Sequence, residues 1–311
     1  MTQLPNIMAP SELRSLSSVL DEALSLLDGQ GPRTEQHAVA EAVQPSLFEQ
    51  CIELCRQGAQ ELEPIRTIHH LSCTGGTLIT KCLASMPNVM VLNEVDPLST
   101  MRFRPENPIF TPTDMLALVR QGNHRVSEEL LISLFIQDLQ MLRKELSSVG
   151  KRLLLRDHNH SHFLTGAAQR RTVLNMVSAH FSTHSILTVG NPIDSFLSLV
   201  SLRWITFQPF RFEEYCRRYM LFLDAHEGLP IFKYEAFVDE PEATMEQMCT
   251  ALRLPFSTSF TETFDVFRFS GDSGRSGVVI EARPRRSDEK AFLDEAEASA
   301  SYRLLVERLG Y

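Results

Sequence analysis

A short apolar run, Thr67-Ile-His-His-Leu-Ser72, leads through Cys73 and Thr74 into two adjacent glycines and then a helical pattern, Thr77-Leu-Ile-Thr-Lys81. Neither Gly75 nor Gly76 carries a Cβ, so the chain can turn tightly there and bring its amides close to a ligand. On this reading a side chain at 76 blocks the ligand's approach. The helix that follows aims its free N–H groups and the positive end of its dipole at the same spot. An anion, phosphate or sulfate, is therefore expected on the amides of residues 75–78. Taken alone, an ordinary strand–helix turn explains the two glycines equally well. A nucleoside-triphosphate loop needs Gly-Lys-Ser/Thr, with the lysine on the phosphates and the hydroxyl on magnesium. Here Thr77 and Leu78 follow the glycines, so a nucleotide triphosphatase fits poorly.

From Thr67 onward, apolar runs alternate with helical patterns. Strands are expected over 67–72, 89–93, 152–157, 185–189 and 229–233. The helices expected between and after them cover 77–86, 126–148, 164–181, 193–204, 212–225 and 241–252. The runs Leu153-Leu-Leu155 and Ile186-Leu-Thr-Val189 are apolar without a break, as in strands buried on both faces of a parallel sheet. The expected fold class is α/β, a three-layer sandwich with a central parallel sheet of the P-loop nucleotide-binding type. Ahead of it, Leu13, Leu16, Val19, Leu20, Ala23 and Leu27 recur at helical spacing, and a second helix is expected over 47–62. The chain thus divides into a helical extension over 1–62 and an α/β domain over 63–311. A polar segment and a long helix, 99–150, are inserted between the second and third strands, where an insertion is expected to cover a substrate. A Gly/Ser/Arg-rich loop, 270–287, precedes a terminal helix rich in Ala and Glu.

With 311 residues and a net charge of −9, the chain has no basic surface for sequence-independent nucleic-acid binding, so any anion site is local. Six cysteines form no Cys-x-x-Cys pair and no zinc spacing, which reads as reduced thiols in a cytoplasmic protein. Cys51 and Cys55, four apart in a helical pattern, are expected simply to pack. The first residues carry neither a basic nor an apolar leader segment. No apolar run approaches the roughly 18 residues of a membrane span.

In an open parallel sheet, ligands bind beyond the carboxyl ends of the strands. The first strand ends at Cys73-Thr-Gly-Gly-Thr77, the second at Asn93-Glu-Val-Asp-Pro97, the third at Arg156-Asp-His-Asn-His160 and the fourth at Gly190-Asn-Pro-Ile-Asp194. A glycine loop, carboxylates, an arginine and histidines on one edge suit acid–base chemistry on a charged leaving group. His69 and His70, inside the first strand, are read as hydrogen-bonded core or rim residues. His158, His160 and His162 alternate along an extended segment without a matching Cys/His cluster, so no metal is expected.

Over about 66–286 the chain resembles the sulfotransferases that use 3′-phosphoadenosine-5′-phosphosulfate. Cys73-Thr-Gly-Gly-Thr-Leu78 is similar to that family's 5′-phosphosulfate loop, and Arg156-Asp-His158 falls where many members carry Lys-Thr-His. Val189-Gly-Asn-Pro-Ile-Asp-Ser-Phe-Leu-Ser198 resembles the 3′-phosphate motif. Ile231-Phe-Lys-Tyr-Glu-Ala-Phe237 resembles the family's fifth strand and next helix, and Ser270-Gly-Asp-Ser-Gly-Arg275 its C-terminal cofactor loop. The resemblance implies this nucleotide as donor, with no metal, and sulfuryl transfer to a hydroxyl or amine of a small molecule, glycan or peptide. It implies Cys73, Thr74, Gly75, Gly76, Thr77, Leu78, Asn191, Ser198, Gly274 and Arg275 around the donor. His158 becomes the general base, Glu94 the reserve base and Arg156 a fixed positive charge. A homo-oligomer is compatible with this reading.

Two positions depart from the family pattern. Cys73 stands where a basic residue opens the loop, and Gly190 where an arginine opens the 3′-phosphate motif. Arg275 is the expected substitute on the 3′-phosphate, ahead of Lys81, Arg203 and the arginines at 283, 285 and 286. Two other functions stay open: a nucleotide-binding module without transfer activity, suggested by the two lost charges, and a small-molecule P-loop kinase.

Overall fold

Period-two alternation along each strand sends neighbouring side chains to opposite faces of the sheet. In a computed structural model of the chain, residues 46–47, 49–50, 62–101, 110–165, 170–271, 279–282 and 290–311 are described. The chain divides into a unit over Met1–Arg56 and another over Gln57–Tyr311. In the first, Ser46 and Glu49 form a capping box: Ser46 Oγ accepts from Glu49 N, and the Glu49 carboxylate accepts from Ser46 N. That marks the start expected for the second helix. The rest of the expected extension over 1–61, with Cys51 and Cys55, lies outside the described residues.

In the second unit, β1 (Ile65–His69), β2 (Val89–Val95), β3 (Arg152–Asp157), β4 (Thr183–Val189) and β5 (Ile231–Lys233) form one sheet. Their order is β2-β3-β1-β4-β5 and every pairing is parallel. The expected α/β class therefore holds. β1 sits at the centre, flanked by β3 and β4, so the loops after these three strands lie side by side.

The Leu-Leu-Leu run is divided by the pleat. Leu154, with Ile68 and Ile186, packs against α1 (Gly76–Ala84) and α9 (Pro241–Leu252). Leu153 and Leu155, with Ile65, pack on the other face against α3 (Glu128–Ser148) and α5 (Val173–Ser178). Beside them Leu71, Leu187 and Val189 meet α6 (Pro192–Leu202), α7 (Phe212–Ala225) and α12 (Ala300–Leu309). Helices on both faces of a sheet complete the three layers.

The remaining elements are α2 (Met115–Gln121), α4 (His160–Phe163), α8 (Tyr234–Asp239), α10 (Phe260–Thr263), a 3-10 turn over Phe264–Val266, and α11 (Lys290–Ala298). The helix expected over 164–181 is shorter, because Thr172 caps Asn175 N and starts α5 late. The terminal helix is two, divided where Ser299 caps Tyr302 N. Among the described residues, no helix is long and apolar enough to cross a membrane.

Candidate active site

The loops after β1, β2, β3 and β4 surround a cavity of about 1090 Å³. Three of its lining residues, Cys73 (φ +67°), Glu94 (φ +56°) and Arg203 (φ +56°, closing α6), hold the left-handed conformation that non-glycine residues seldom adopt. Glu94 falls where the β2–β3 register shifts, between Leu92 and Val95. Strain of this kind collects at functional sites. Among the described residues, the cavity lining carries as many carboxylates (Glu94, Asp194, Glu235, Asp265) as cations (Lys81, Arg156, Arg203, Arg268).

The α1 end is open. Gly75, at φ +83°, is its N-cap and offers no side chain, and the first turn holds no acidic residue. Leu78 N is spent on Gly75 O at 3.1 Å, which narrows the expected cradle to residues 75–77. The amides of Gly75, Gly76 and Thr77 have no partner among the described residues. The structure gives the glycines a reason the sequence does not show. A Cβ on Gly75 would lie 1.9 Å from the Tyr234 ring, and one on Gly76 would lie 2.2 Å from the His70 ring. Each glycine accommodates an aromatic side chain of the protein itself. Gly190 has a similar cause, since a Cβ there would come 3.1 Å from the backbone of Thr74, where the β1 and β4 loops cross.

Arg156 ties the loops together. It is buried and donates through Nε to His70 Nε2 (2.8 Å), through Nη1 to Asn93 Oδ1 (2.6 Å) and Ser270 O (3.1 Å), and through Nη2 to Thr77 Oγ1 (2.8 Å). Its Nη1 is also 3.6 Å from Glu94 Oε1. Because His70 Nε2 accepts from a guanidinium, its proton sits on Nδ1, which donates to Leu71 O at 3.0 Å. Burial, then the adjacent guanidinium, drives His70 down to about 3, so it stays neutral. As the sequence suggested, His69 and His70 are hydrogen-bonded structural residues. Glu94 accepts from Ser270 Oγ at 2.6 Å and faces Arg156, which makes it a structural acceptor more than a free base.

His158 follows the last residue of β3, lines the cavity, and is fixed by its backbone N–H on Val95 O (3.1 Å). Its ring lies parallel to that of His160, with centroids 6.2 Å apart. His160 Nδ1 meets Ser72 Oγ at 2.7 Å, and burial lowers it to about 4. The segment is not extended as expected. His160–Phe163 is one helical turn, and His162 stacks on Phe163 at 4.1 Å away from the other two. The three histidines therefore share no ligand position.

Among the described residues, the one His/Cys/Asp/Glu cluster with ligand atoms mutually within 4.8 Å is His69, Asp157 and His226, all buried. His69 Nδ1 lies 2.7 Å from Asp157 Oδ2 and its Nε2 is 2.7 Å from Thr67 Oγ1. His226 Nδ1–H donates to Phe222 O at 2.8 Å. A contact of 2.7 Å between two would-be ligands requires a shared proton and leaves no room for an ion, so the cluster is a hydrogen-bonded strut. Burial raises Asp157 to about 7 and lowers His69 and His226 to about 3 each.

The α6 end is closed. Asn191 caps its own helix, with Oδ1 accepting from Ile193 N (3.0 Å) and Asp194 N (3.3 Å). Asn191 N donates to Glu235 Oε1 at 2.8 Å, Gly190 N to Tyr219 OH at 3.2 Å, and Pro192 has no N–H. Asn191 Oδ1 is thus spent on capping its own helix, while the residue lines the cavity. Ser198 lines the cavity in the second turn of α6, and Trp204 lines it while packing on the core. Gly274, Arg275 and the arginines at 283, 285 and 286 lie outside the described residues. Sequence reasoning missed Glu235, which no spacing pairs with Asn191.

No family model and no curated protein matches the chain. Among solved structures, it is similar to the sulfotransferase domain from the Synechococcus PCC 7002 olefin synthase, with 16% identity and a TM-score of 0.48 over 81% of this chain and 96% of that one. It is also similar to a sulfotransferase from Alicyclobacillus acidocaldarius, at 13% identity and TM-score 0.36, over 66% of this chain and 91% of that chain. Sulfotransferase STF1 from Mycobacterium tuberculosis H37Rv matches at 15% identity and TM-score 0.38, over 74% of this chain and 78% of that one. These likenesses are faint, and the architecture above rests on strand order and register alone.

Proposed function

We propose that this chain moves a sulfuryl group from a nucleotide phosphosulfate donor to a hydroxyl or amine acceptor. The observation that carries the reading is a pair of features lining one cavity: three amides at the start of α1 with no partner among the described residues, and His158 just after β3. The motif order in the sequence supports it independently. The donor of the resembling family, 3′-phosphoadenosine-5′-phosphosulfate, suits the α1 seat through its phosphosulfate end.

In the step, the acceptor oxygen or nitrogen forms a bond to sulfur as the bond from sulfur to the bridging phosphate oxygen breaks. The acceptor's proton goes to the His158 imidazole, and the nucleotide leaves with the phosphate. Charge grows on the bridging oxygen, where the Gly75–Thr77 amides and the helix dipole stabilise it. Arg156 holds Thr77 by its hydroxyl and so fixes the first turn of the cradle. It acts as a positioning residue.

The test is sulfuryl transfer from a ³⁵S-labelled phosphosulfate nucleotide to a panel of hydroxyl and amine acceptors. His158→Ala is expected to slow transfer by ~10²–10⁴-fold and leave nucleotide affinity nearly unchanged. If Glu94→Gln is the crippling change and His158→Ala is benign, the base is misassigned. Phosphoryl transfer from ATP with magnesium, without sulfuryl transfer, would make the chain a kinase. Nucleotide binding without any transfer would make it a binding module.

A further inference from the structure

We propose that Glu235 sets which nucleotide the cavity accepts, excluding a phosphate at the start of α6 and selecting an unphosphorylated ribose. The inference rests on the nucleotide reading above and departs from the donor that the sequence resemblance implies.

An anion seat at a helix N-terminus needs unspent amides. Among the described residues, α1 has them and α6 does not. Every N–H from Gly190 to Ser195 is satisfied within the protein, and the residue that takes the amide of Asn191 is itself an anion, Glu235, at 2.8 Å. Asp194 adds a second carboxylate in the first turn. A phosphate placed on these amides would meet the Glu235 carboxylate and, among the described residues, no unspent backbone N–H, whereas the resembling family opens this motif with arginine. Gly190 cannot regain that side chain without displacing Thr74.

The carboxylate is also held in place. Tyr311 OH donates to Glu235 Oε2 at 2.6 Å. Tyr311 is itself anchored, with Lys233 Nζ 4.5 Å above its ring and bonded to Gly310 O at 2.6 Å. A fixed carboxylate on a cavity wall, with lone pairs to spare, suits hydroxyl donors such as those of a ribose. The favoured donor is therefore a nucleoside 5′-phosphosulfate with free ribose hydroxyls.

Calorimetric titration of the full chain with adenosine 5′-monophosphate, its 3′-deoxy analogue and adenosine 3′,5′-bisphosphate tests this without any variant. The monophosphate is expected to bind at least as tightly as the bisphosphate, and the deoxy analogue several-fold more weakly. Glu235→Gln keeps an acceptor for Asn191 N and removes the charge; it is expected to improve the bisphosphate by about tenfold and change the monophosphate little. Tyr311→Phe, which only loosens the carboxylate, should shift the ratio the same way and less.

A wild-type preference of about tenfold or more for the bisphosphate would overturn the proposal and leave the nucleotide reading intact. So would a ratio unmoved by Glu235→Gln. If none of the three nucleotides binds, the nucleotide reading fails and this inference fails with it.

Discussion

Gly76→Ala separates two reasons for the same glycine. Gly76 sits in the first turn of α1 at an ordinary helical φ, so alanine is conformationally acceptable, and in an exposed helix it would stabilise by up to ~1 kcal/mol. Here the added Cβ lies 2.2–2.3 Å from three atoms of the His70 ring, against the ~3.5 Å of ordinary contact, so the ring must retreat by roughly 1.2 Å. That ring is clamped between Leu71 O at 3.0 Å and Arg156 Nε at 2.8 Å, and a shift of this size breaks at least one of the two bonds. Overpacking and a buried group left unpaired each cost about 1–3 kcal/mol, so a loss of roughly 2–5 kcal/mol is expected. Urea unfolding followed by circular dichroism measures it, alongside His70→Ala and the double variant. With the ring gone the alanine has room, so the double variant should be more stable than the sum of the single losses by about 1 kcal/mol or more. Additive losses would show that His70 is not what Gly76 accommodates. Wild-type stability with lost nucleotide binding would return the glycine to ligand clearance.

Two further outcomes follow from the buried polar groups. His69, His70 and His226 are lowered to about 3 and His160 to about 4, all chiefly by burial, whereas Asp157 is raised to about 7. A depressed histidine contributes stability that is full above its unfolded value of 6.5 and lost as pH falls. The raised acid does the reverse, contributing fully below 3.8 and losing it as pH rises towards about 7. The lowered histidines, with His184 among them, outnumber the one raised aspartic acid, so unfolding below pH 6.5 takes up protons and stability falls as pH drops from 6.5 towards 5. A urea midpoint that is flat or rises from pH 6.5 to 5 would refute those burial assignments. Arg156→Lys replaces a fork of donors by one ammonium that cannot serve His70, Asn93 and Thr77 together; a loss of about 3 kcal/mol or more is expected, and a loss under 1 kcal/mol would deny the arginine its tying role.

The sequence by itself determined what local pattern can carry. Unbroken apolar runs at 153–155 and 186–189 meant strands buried on both faces, and β3 spans the expected residues. The Gly-Gly turn meant a strand entering a helix with its N-terminus uncovered. Phe212–Ala225 and Pro241–Leu252 were legible because their apolar spacing and breakers are local. Only the tertiary structure decided what each loop residue does there. Gly76 is shaped by a histidine ring that Arg156 holds from 86 positions away, the Asn191 amide is taken by a carboxylate 44 positions on, and that carboxylate is held by a phenol a further 76 along. Whether a helix N-terminus is open to an anion depends on which side chains reach its few unpaired amides. Helical periodicity acts over three or four residues, whereas those partners arrive on other strands, so only the packed sheet brings them within hydrogen-bonding distance.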